Sequence, residues 1–196
     1  MRRPVKISLL VLAILALLGA LLLWSAVRRG FSTHDEPSRM EAWMARSVRH
    51  GSAPADLRDA DNPLPLTPQV MAEARAHWAD HCATCHGNDG KGKTTIGEHL
   101  YPRAPDMTQP ATQSLSDGEL FAIIENGIRL TGMPGWGNGT AESGYGSWGL
   151  VHFIRHLPEL SPEEIAGMEA LNPKTPEELE EMQAEEAFLS GETHQH

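Results

Sequence analysis

The first apolar pattern along the chain is continuous rather than periodic. Residues 7–27 form a run of twenty-one residues with two Ser, one Gly and no charged side chain. As a helix, such a run crosses a bilayer's hydrocarbon core of about 30 Å. The end of this apolar run matches the small-residue pattern of a signal-peptidase cleavage site only poorly. The sequence therefore favours an uncleaved, single-pass anchor over residues 1–30.

Helical spacing appears directly after the anchor. Apolar side chains recur at intervals of three and four residues, at Met40, Trp43, Met44 and Val48. They predict a short amphipathic helix closed by Gly51, which is either a juxtamembrane linker or a helix on the membrane surface. A stretch rich in Pro and Asp follows, so residues 31–66 are assigned to this helix and an extended linker.

The pattern over residues 67–157 predicts three main helices separated by long loops. In the first, Thr67 is the expected N-cap and Pro68 stands in the first turn. The second begins with a capping box of Ser116 and Glu119. A third is expected over about 147–157, after a Gly-rich stretch that predicts irregular structure. The apolar face of the first helix consists of Met71, Ala74, Trp78 and Cys82.

Residues 158–196 read as an acidic helical tail. Ser161 with Glu164, and Thr175 with Glu178, are two further capping boxes. An alternating strand pattern is lacking, so the predicted class is all-α.

The net charge of the chain indicates which class of macromolecule it binds. The formal net charge is −10, and residues 158–196 carry eleven acidic side chains against one Lys. A basic stripe with interleaved aromatics is absent, which argues against nucleic acid as a partner. We expect protein partners with basic docking patches.

Both cysteines of the chain, Cys82 and Cys85, stand in the segment "CATCH", which ends in His86. A redox dithiol would need a βαβ pattern, and a structural zinc site would need a second pair of ligands in the usual arrangement. Cys-x-x-Cys-His is the attachment signature of c-type haem, in which two thioethers hold the porphyrin and the histidine binds iron. The sequence favours the haem.

A haem that carries electrons commonly takes Met as its second axial ligand. Met133, in the Gly- and Pro-rich segment "RLTGMPGWG", is the preferred candidate. Met107, in "PRAPDMTQP", is the rival, and its alternative role is to fill the wall of the haem pocket.

Over about residues 67–157 the chain resembles the class I c-type cytochromes, specifically the bacterial membrane-anchored monohaem kind. The resemblance rests on "HWADHCATCHGNDGKG", "LYPRAPDM", "LSDGELFAIIENGIRLTGMPGW" and "SWGLVHFIRHLP". It implies a small fold of three to five helices around one covalent haem c. Cys82 and Cys85 would then attach the haem, with His86 and Met133 as the axial ligands.

The same resemblance makes finer suggestions. The first and last helices should cross, pairing Trp78 with Trp148 or Phe153. Arg103 and Trp136 could reach the haem propionates. The family's proline that accepts the proximal histidine's free N–H is replaced by Glu98, so Pro102 or Pro105 could serve instead.

The predicted function is one-electron transfer by a protein that is not itself an enzyme. Covalent haem attachment takes place outside the cytoplasm, so we expect a bacterial inner-membrane protein with its C-terminal domain in the periplasm. Two alternatives remain: a dedicated haem subunit of a larger dehydrogenase or oxidase, and a haem sensor or peroxidase with a labile Met133.

Overall fold

The computed structural model describes residues 2–29 and 32–190. Residues 1, 30, 31 and 191–196, which fall in the predicted anchor, linker and tail, lie outside the described residues. Within the described ranges the secondary structure is entirely helical, without strands, which confirms the all-α prediction.

Ten α-helical segments are present in the described part of the chain. They are α1 (Arg2–Arg29), α2 (Arg39–Ser52), α3 (Ala55–Arg58), α4 (Pro68–His77), α5 (Ala83–His86), α6 (Pro110–Gln113), α7 (Asp117–Asn126), α8 (Ala141–His156), α9 (Pro162–Glu169) and α10 (Pro176–Ser190). A π-helical turn, Trp78–Cys82, joins α4 to α5, and 3₁₀ turns occupy Gly97–His99 and Leu157–Glu159.

The first helix, α1, forms a unit of its own with the residues up to Glu36. Its segment Val5–Arg28 is long and apolar enough to cross a membrane, and it lies near the N-terminus. A cleavable signal has the same two properties, so length and composition are consistent with either role.

The remaining residues, Pro37 onward, form a second unit. Its centre is the crossing of α4 and α8, where a methyl group added at Gly149 would lie 3.6 Å from Ala74 Cβ. Small residues at this point let the two helix backbones approach closely. The crossing expected between the first and last helices of the domain is therefore present.

Aromatic pairs surround this crossing. Trp78 contacts Phe153, with ring centroids 5.4 Å apart, and both side chains are buried. Trp148 instead stacks on Phe121 of α7, at 4.2 Å. Of the two partners proposed for Trp78, the structure selects Phe153.

Arg155 ties the end of α8 to the start of α7. Its guanidinium donates to Asp117 Oδ1 at 2.7 Å and 2.9 Å, and to the backbone carbonyls of Gln113 and Leu115. The capping box of Ser116 and Glu119 is formed as predicted. These contacts anchor the segment before α7 to the core.

The start of α8 differs from the sequence prediction. The helix begins at Ala141 rather than near Ser147, with the Thr140 side chain accepting from the Ser143 N–H at 3.2 Å. Packing contacts of the added turns accompany the longer helix. Ser143 Oγ donates to Glu125 of α7 at 3.4 Å, as Ser147 Oγ does at 2.6 Å, and Gly146 lets the helix approach His77. Tertiary contacts therefore outweigh the low helix propensity of glycine here.

The acidic segment after residue 157 continues the core. Both predicted capping boxes are formed, one at the start of α9 and one at the start of α10. Met168 of α9 is 0% exposed and belongs to the same hydrophobic cluster as Trp78 and Phe153. Glu164 of α9 also accepts from Arg75 of α4 at 2.7 Å. The residues of α10 are not buried.

Candidate functional site

The "CATCH" segment lies at the end of a helix that changes its winding as it approaches the motif. The α-helical pattern of α4 stops at His77, and Trp78–Cys82 form a π-helical turn before α5 resumes. Such π turns carry an additional residue and often occur at functional sites. Ala79, within the turn, and Ala83, directly after it, are buried together with Trp78. The sequence pattern did not predict this change.

Cys82, Cys85 and His86 then share one compact turn. Cys82 and Cys85 are three residues apart on the helix, so they lie on the same side of it, and both thiols are free. Gly87, with a φ of 74°, ends the helix immediately after His86. A residue with a Cβ would be strained there.

The surroundings of Cys82 suit an uncharged sulfur. Burial, with a smaller contribution from Cys85, raises the pKa of the Cys82 thiol to about 12. Burial also raises the pKa of Cys85. A zinc site binds thiolates, whereas a thioether sulfur carries no charge. Within the described residues, no three His, Cys, Asp or Glu side chains group into a metal site.

His86 is held as a neutral imidazole. Burial lowers its pKa, which leaves one ring nitrogen with a free lone pair at neutral pH. Its ring lies beside Trp78, with centroids 5.7 Å apart. Its buried Nδ1 has no hydrogen-bond partner among the described residues, so the contact proposed with Pro102 or Pro105 is not formed here.

A second segment closes over the back of the motif. Thr94 Oγ1 donates to the carbonyl of Thr84 at 2.8 Å and accepts from the Gly97 N–H at 2.8 Å. A Cβ added at Gly97 would lie 2.2 Å from the Cys85 carbonyl oxygen and 2.6 Å from that of Gly92. Glycine is the residue that fits this contact.

We therefore expect Gly97→Ala to destabilise the turn that carries Cys82, Cys85 and His86. The added methyl group meets two backbone oxygens, and overpacking of this kind costs about 1–3 kcal/mol. Urea unfolding at equilibrium measures the change. Gly144→Ala in α8 is the matched control, because nothing lies within 4 Å of a Cβ at that position. Equal stability of the two variants would show that the contact at Gly97 is not restrictive.

Met133 lies in a loop that is fixed on the end of α7. Its carbonyl accepts from the Ile128 N–H at 3.1 Å, and the Trp136 N–H donates to the Ile124 carbonyl at 2.9 Å. Gly127, with a φ of 65°, lets the loop pass close to Pro134 and Gly135. The Met133 side chain is half-buried.

One segment contacts both the turn that carries the two cysteines and the loop that carries Met133. Gly97 lies against Cys85, as described above. Three residues later, Leu100 lies against Gly132, where an added Cβ would be 2.6 Å from the Leu100 side chain. The segment between them is the 3₁₀ turn Gly97–His99. Its bridging position could not be read from the sequence, because it depends on long-range contacts of glycines.

Met107 has a different environment. Its side chain packs against the hydrophobic core. Its backbone N–H donates to Gly90 at 2.8 Å, and its carbonyl accepts from Gln113 at 2.8 Å. This environment fits a residue that fills the interior of the domain.

The two residues suggested for the propionates are both exposed. Trp136 is 37% exposed, and its ring meets His81 edge-on with centroids 5.3 Å apart. Arg103 lies in the loop after the Gly97–His99 turn. The Trp136 ring thus stands beside the residue that precedes Cys82.

These residues fit a covalently bound c-type haem. Two free thiols and a half-buried imidazole lie on one turn, and the Nδ1 atom of that imidazole has no protein partner among the described residues. A half-buried Met stands in a fixed loop that contacts the same segment as this turn. Cys82, Cys85, His86 and Met133 are the residues that would hold the group.

Comparison with known proteins finds one protein-family model that matches part of the chain. Residues 69–154 match the family model described as cytochrome c oxidase, cbb3-type, subunit III. No curated protein matches the chain. Among solved structures, a chain of the reducing HAO-like protein complex of Kuenenia stuttgartiensis is similar, with 20% sequence identity and a TM-score of 0.42. That similarity covers 50% of this chain and 49% of the other.

Proposed function

We propose that this chain is a membrane-anchored monohaem electron carrier, because residues 69–154 match the family model of a cbb3-type cytochrome c oxidase subunit. Cys82 and Cys85 attach haem c through thioethers, and His86 and Met133 bind its iron. The bound haem supplies one-electron chemistry between ferric and ferrous iron. The observation that carries the proposal is the "CATCH" turn, with two free thiols beside a half-buried imidazole whose pKa is lowered by burial, inside the segment that matches the family.

The surrounding residues explain how the chain would hold such a group. Trp78 packs against the His86 ring and restricts its orientation. The hydrogen bonds at Ile128 and Trp136 fix the loop on either side of Met133. A ligand set held this rigidly suits electron transfer, because little structural reorganisation accompanies a change in charge. Arg103 and Trp136 are the proposed contacts of the propionates.

The cellular placement follows from the anchor and the chemistry. We propose that α1 crosses the bacterial inner membrane once and that the haem domain lies in the periplasm, where c-type haem is attached. Tethering keeps the domain at a high local concentration near membrane partners. The net charge of −10 favours partners that present basic docking patches.

A second candidate is a dedicated haem subunit of a larger oxidoreductase. The description of the matched family, a subunit of a cbb3-type oxidase, favours it. Purification in mild detergent separates the two: a free carrier elutes alone, whereas a subunit co-elutes in fixed proportion with other chains.

The optical spectrum tests the proposed haem and its ligands. The full chain, purified in detergent, should retain haem after extraction with acidified acetone and should show a low-spin spectrum that carbon monoxide leaves unchanged in the reduced form. Haem that leaves on extraction contradicts the thioethers. Rapid carbon monoxide binding contradicts stable ligation by Met133 and supports the sensor or peroxidase alternative.

A further inference from the structure

The second helix presents its apolar face outward. Four side chains on one side of α2 are highly exposed: Met40 (69%), Trp43 (64%), Met44 (47%) and Val48 (70%). At 100° per residue they fall on a single stripe, which includes Ser47 between Trp43 and Met40. A surface helix of a soluble domain normally turns such a stripe to the core.

The contacts of α2 with the haem domain lie on the side that runs from Glu41, at the Val48 edge of the stripe, to Arg49, opposite its centre. Tyr101 donates a hydrogen bond to Glu41. Arg49 is half-buried and interacts electrostatically with Glu119 of α7. Because polar contacts hold the helix by this side, its apolar stripe faces away from the domain.

Charge and connectivity indicate what covers the stripe. Arg39 and Arg46 are exposed and lie together along one edge of it, in a chain whose net charge is −10. Residues 30–38 separate α2 from α1, and nine residues extend to about 30 Å at most. If α1 is an anchor, α2 cannot move further than this from the end of the membrane span.

We propose that α2 binds the surface of an anionic lipid bilayer. Trp43 and its apolar neighbours enter the boundary between headgroups and acyl chains, while Arg39 and Arg46 bind lipid phosphates. Helices of this composition lie in the interface plane, buried by about 5–10 Å, and Trp is favoured at that depth. This proposal rests on α1 being a membrane anchor. It gives the haem domain a fixed orientation toward the membrane instead of a freely swinging tether.

Probes on the two sides of α2 test the proposal in the full, haem-loaded chain in nanodiscs containing phosphatidylglycerol. A fluorescent amino acid replaces either Ser47, in the stripe, or Ala45, two residues away. Two residues turn a helix by about 200°, so the probes face opposite directions. Neither substitution removes an apolar residue of the stripe.

Lipids with a nitroxide near the headgroup supply the readout. Emission is compared with that in the same nanodiscs without nitroxide, so that quenching by haem cancels. We expect at least about twofold quenching at position 47 and little at 45, since the interface lies within the nitroxide's range. Equal, weak quenching at both positions in nanodisc-bound protein overturns the α2 proposal and leaves the anchor intact. Protein that does not associate with nanodiscs overturns the anchor and the α2 proposal together.

A double variant, Met40→Gln with Val48→Gln, tests whether the apolar stripe is what holds α2 at the membrane. Both side chains are exposed in the protein, so the fold should be retained. Quenching at position 47 should fall while nanodisc incorporation by α1 is unchanged. Unchanged quenching in this variant would show that the apolar stripe does not hold α2 at the membrane.

Discussion

Met133→Ala should lower the reduction potential of the haem and open the iron to external ligands, while the haem stays covalently attached. The thioether of Met stabilises ferrous iron, so its loss favours the ferric state. We expect a fall on the order of 100 mV, within the roughly 0.8 V range that axial ligands span. Potentiometric titration followed optically measures the potential, and addition of carbon monoxide to the reduced protein reports the open position.

Met107→Leu is the control for this experiment. Leu nearly conserves the volume of Met but cannot bind iron, and such a change in a core costs less than about 1.5 kcal/mol. The potential of Met107→Leu should therefore equal that of the unaltered protein. A shifted potential in Met107→Leu, with none in Met133→Ala, would assign the second axial position to Met107.

Trp78→Ala should cause the largest loss of stability among single core substitutions. Trp78 is 2% exposed, contacts Phe153 and His86, and donates from its Nε1 to the Gly87 carbonyl at 3.0 Å. Truncation of a buried Trp costs about 3–5 kcal/mol, a large part of the about 5–15 kcal/mol that stabilises a domain. Denaturant unfolding of the haem-loaded chain in detergent measures it.

Two further variants serve as controls for Trp78→Ala. Trp78→Phe keeps an aromatic ring but loses the hydrogen bond to Gly87, so its loss of stability should be the smaller of the two. Trp43→Ala removes an exposed Trp of α2 and should change the free energy of unfolding by about 0.5 kcal/mol or less. If the three variants unfolded at the same denaturant concentration, Trp78 would not be part of a cooperative core.

Local signals predicted the helix starts well. The capping residues are local: the side chains of Thr67, Ser116, Ser161 and Thr175 each accept a hydrogen bond from the N–H group three residues ahead. The sequence around each cap therefore carries the information. The crossing of two helices was also expected, although the choice between Phe153 and Trp148 as partner of Trp78 depends on packing around the crossing. Side-chain shape in three dimensions decides such a choice.

Features that depend on distant contacts were not predictable in the same way. The first turns of α8 contain two glycines and look irregular in sequence, yet Ser143 in these turns donates to Glu125 of α7, and Gly146 permits close approach to His77 of α4. The fit of Gly97 against Cys85 likewise joins residues on separate segments. In the site itself, the residue types indicated the haem, whereas the surroundings of Met133 and Met107 were visible only in the fold.

The π-helical turn Trp78–Cys82 sets the angular phase between two parts of the molecule. Residues before it form the crossing with α8, and residues after it carry Cys85 and His86. Because the π turn absorbs one additional residue, winding the same residues in α form would rotate the downstream motif by about 100°, the rotation of one helical residue. The number of residues between Ala74 and His86 is therefore as important to the binding site as the residue types of the motif. A sequence pattern used to search for such sites should specify this number of residues as well as the motif.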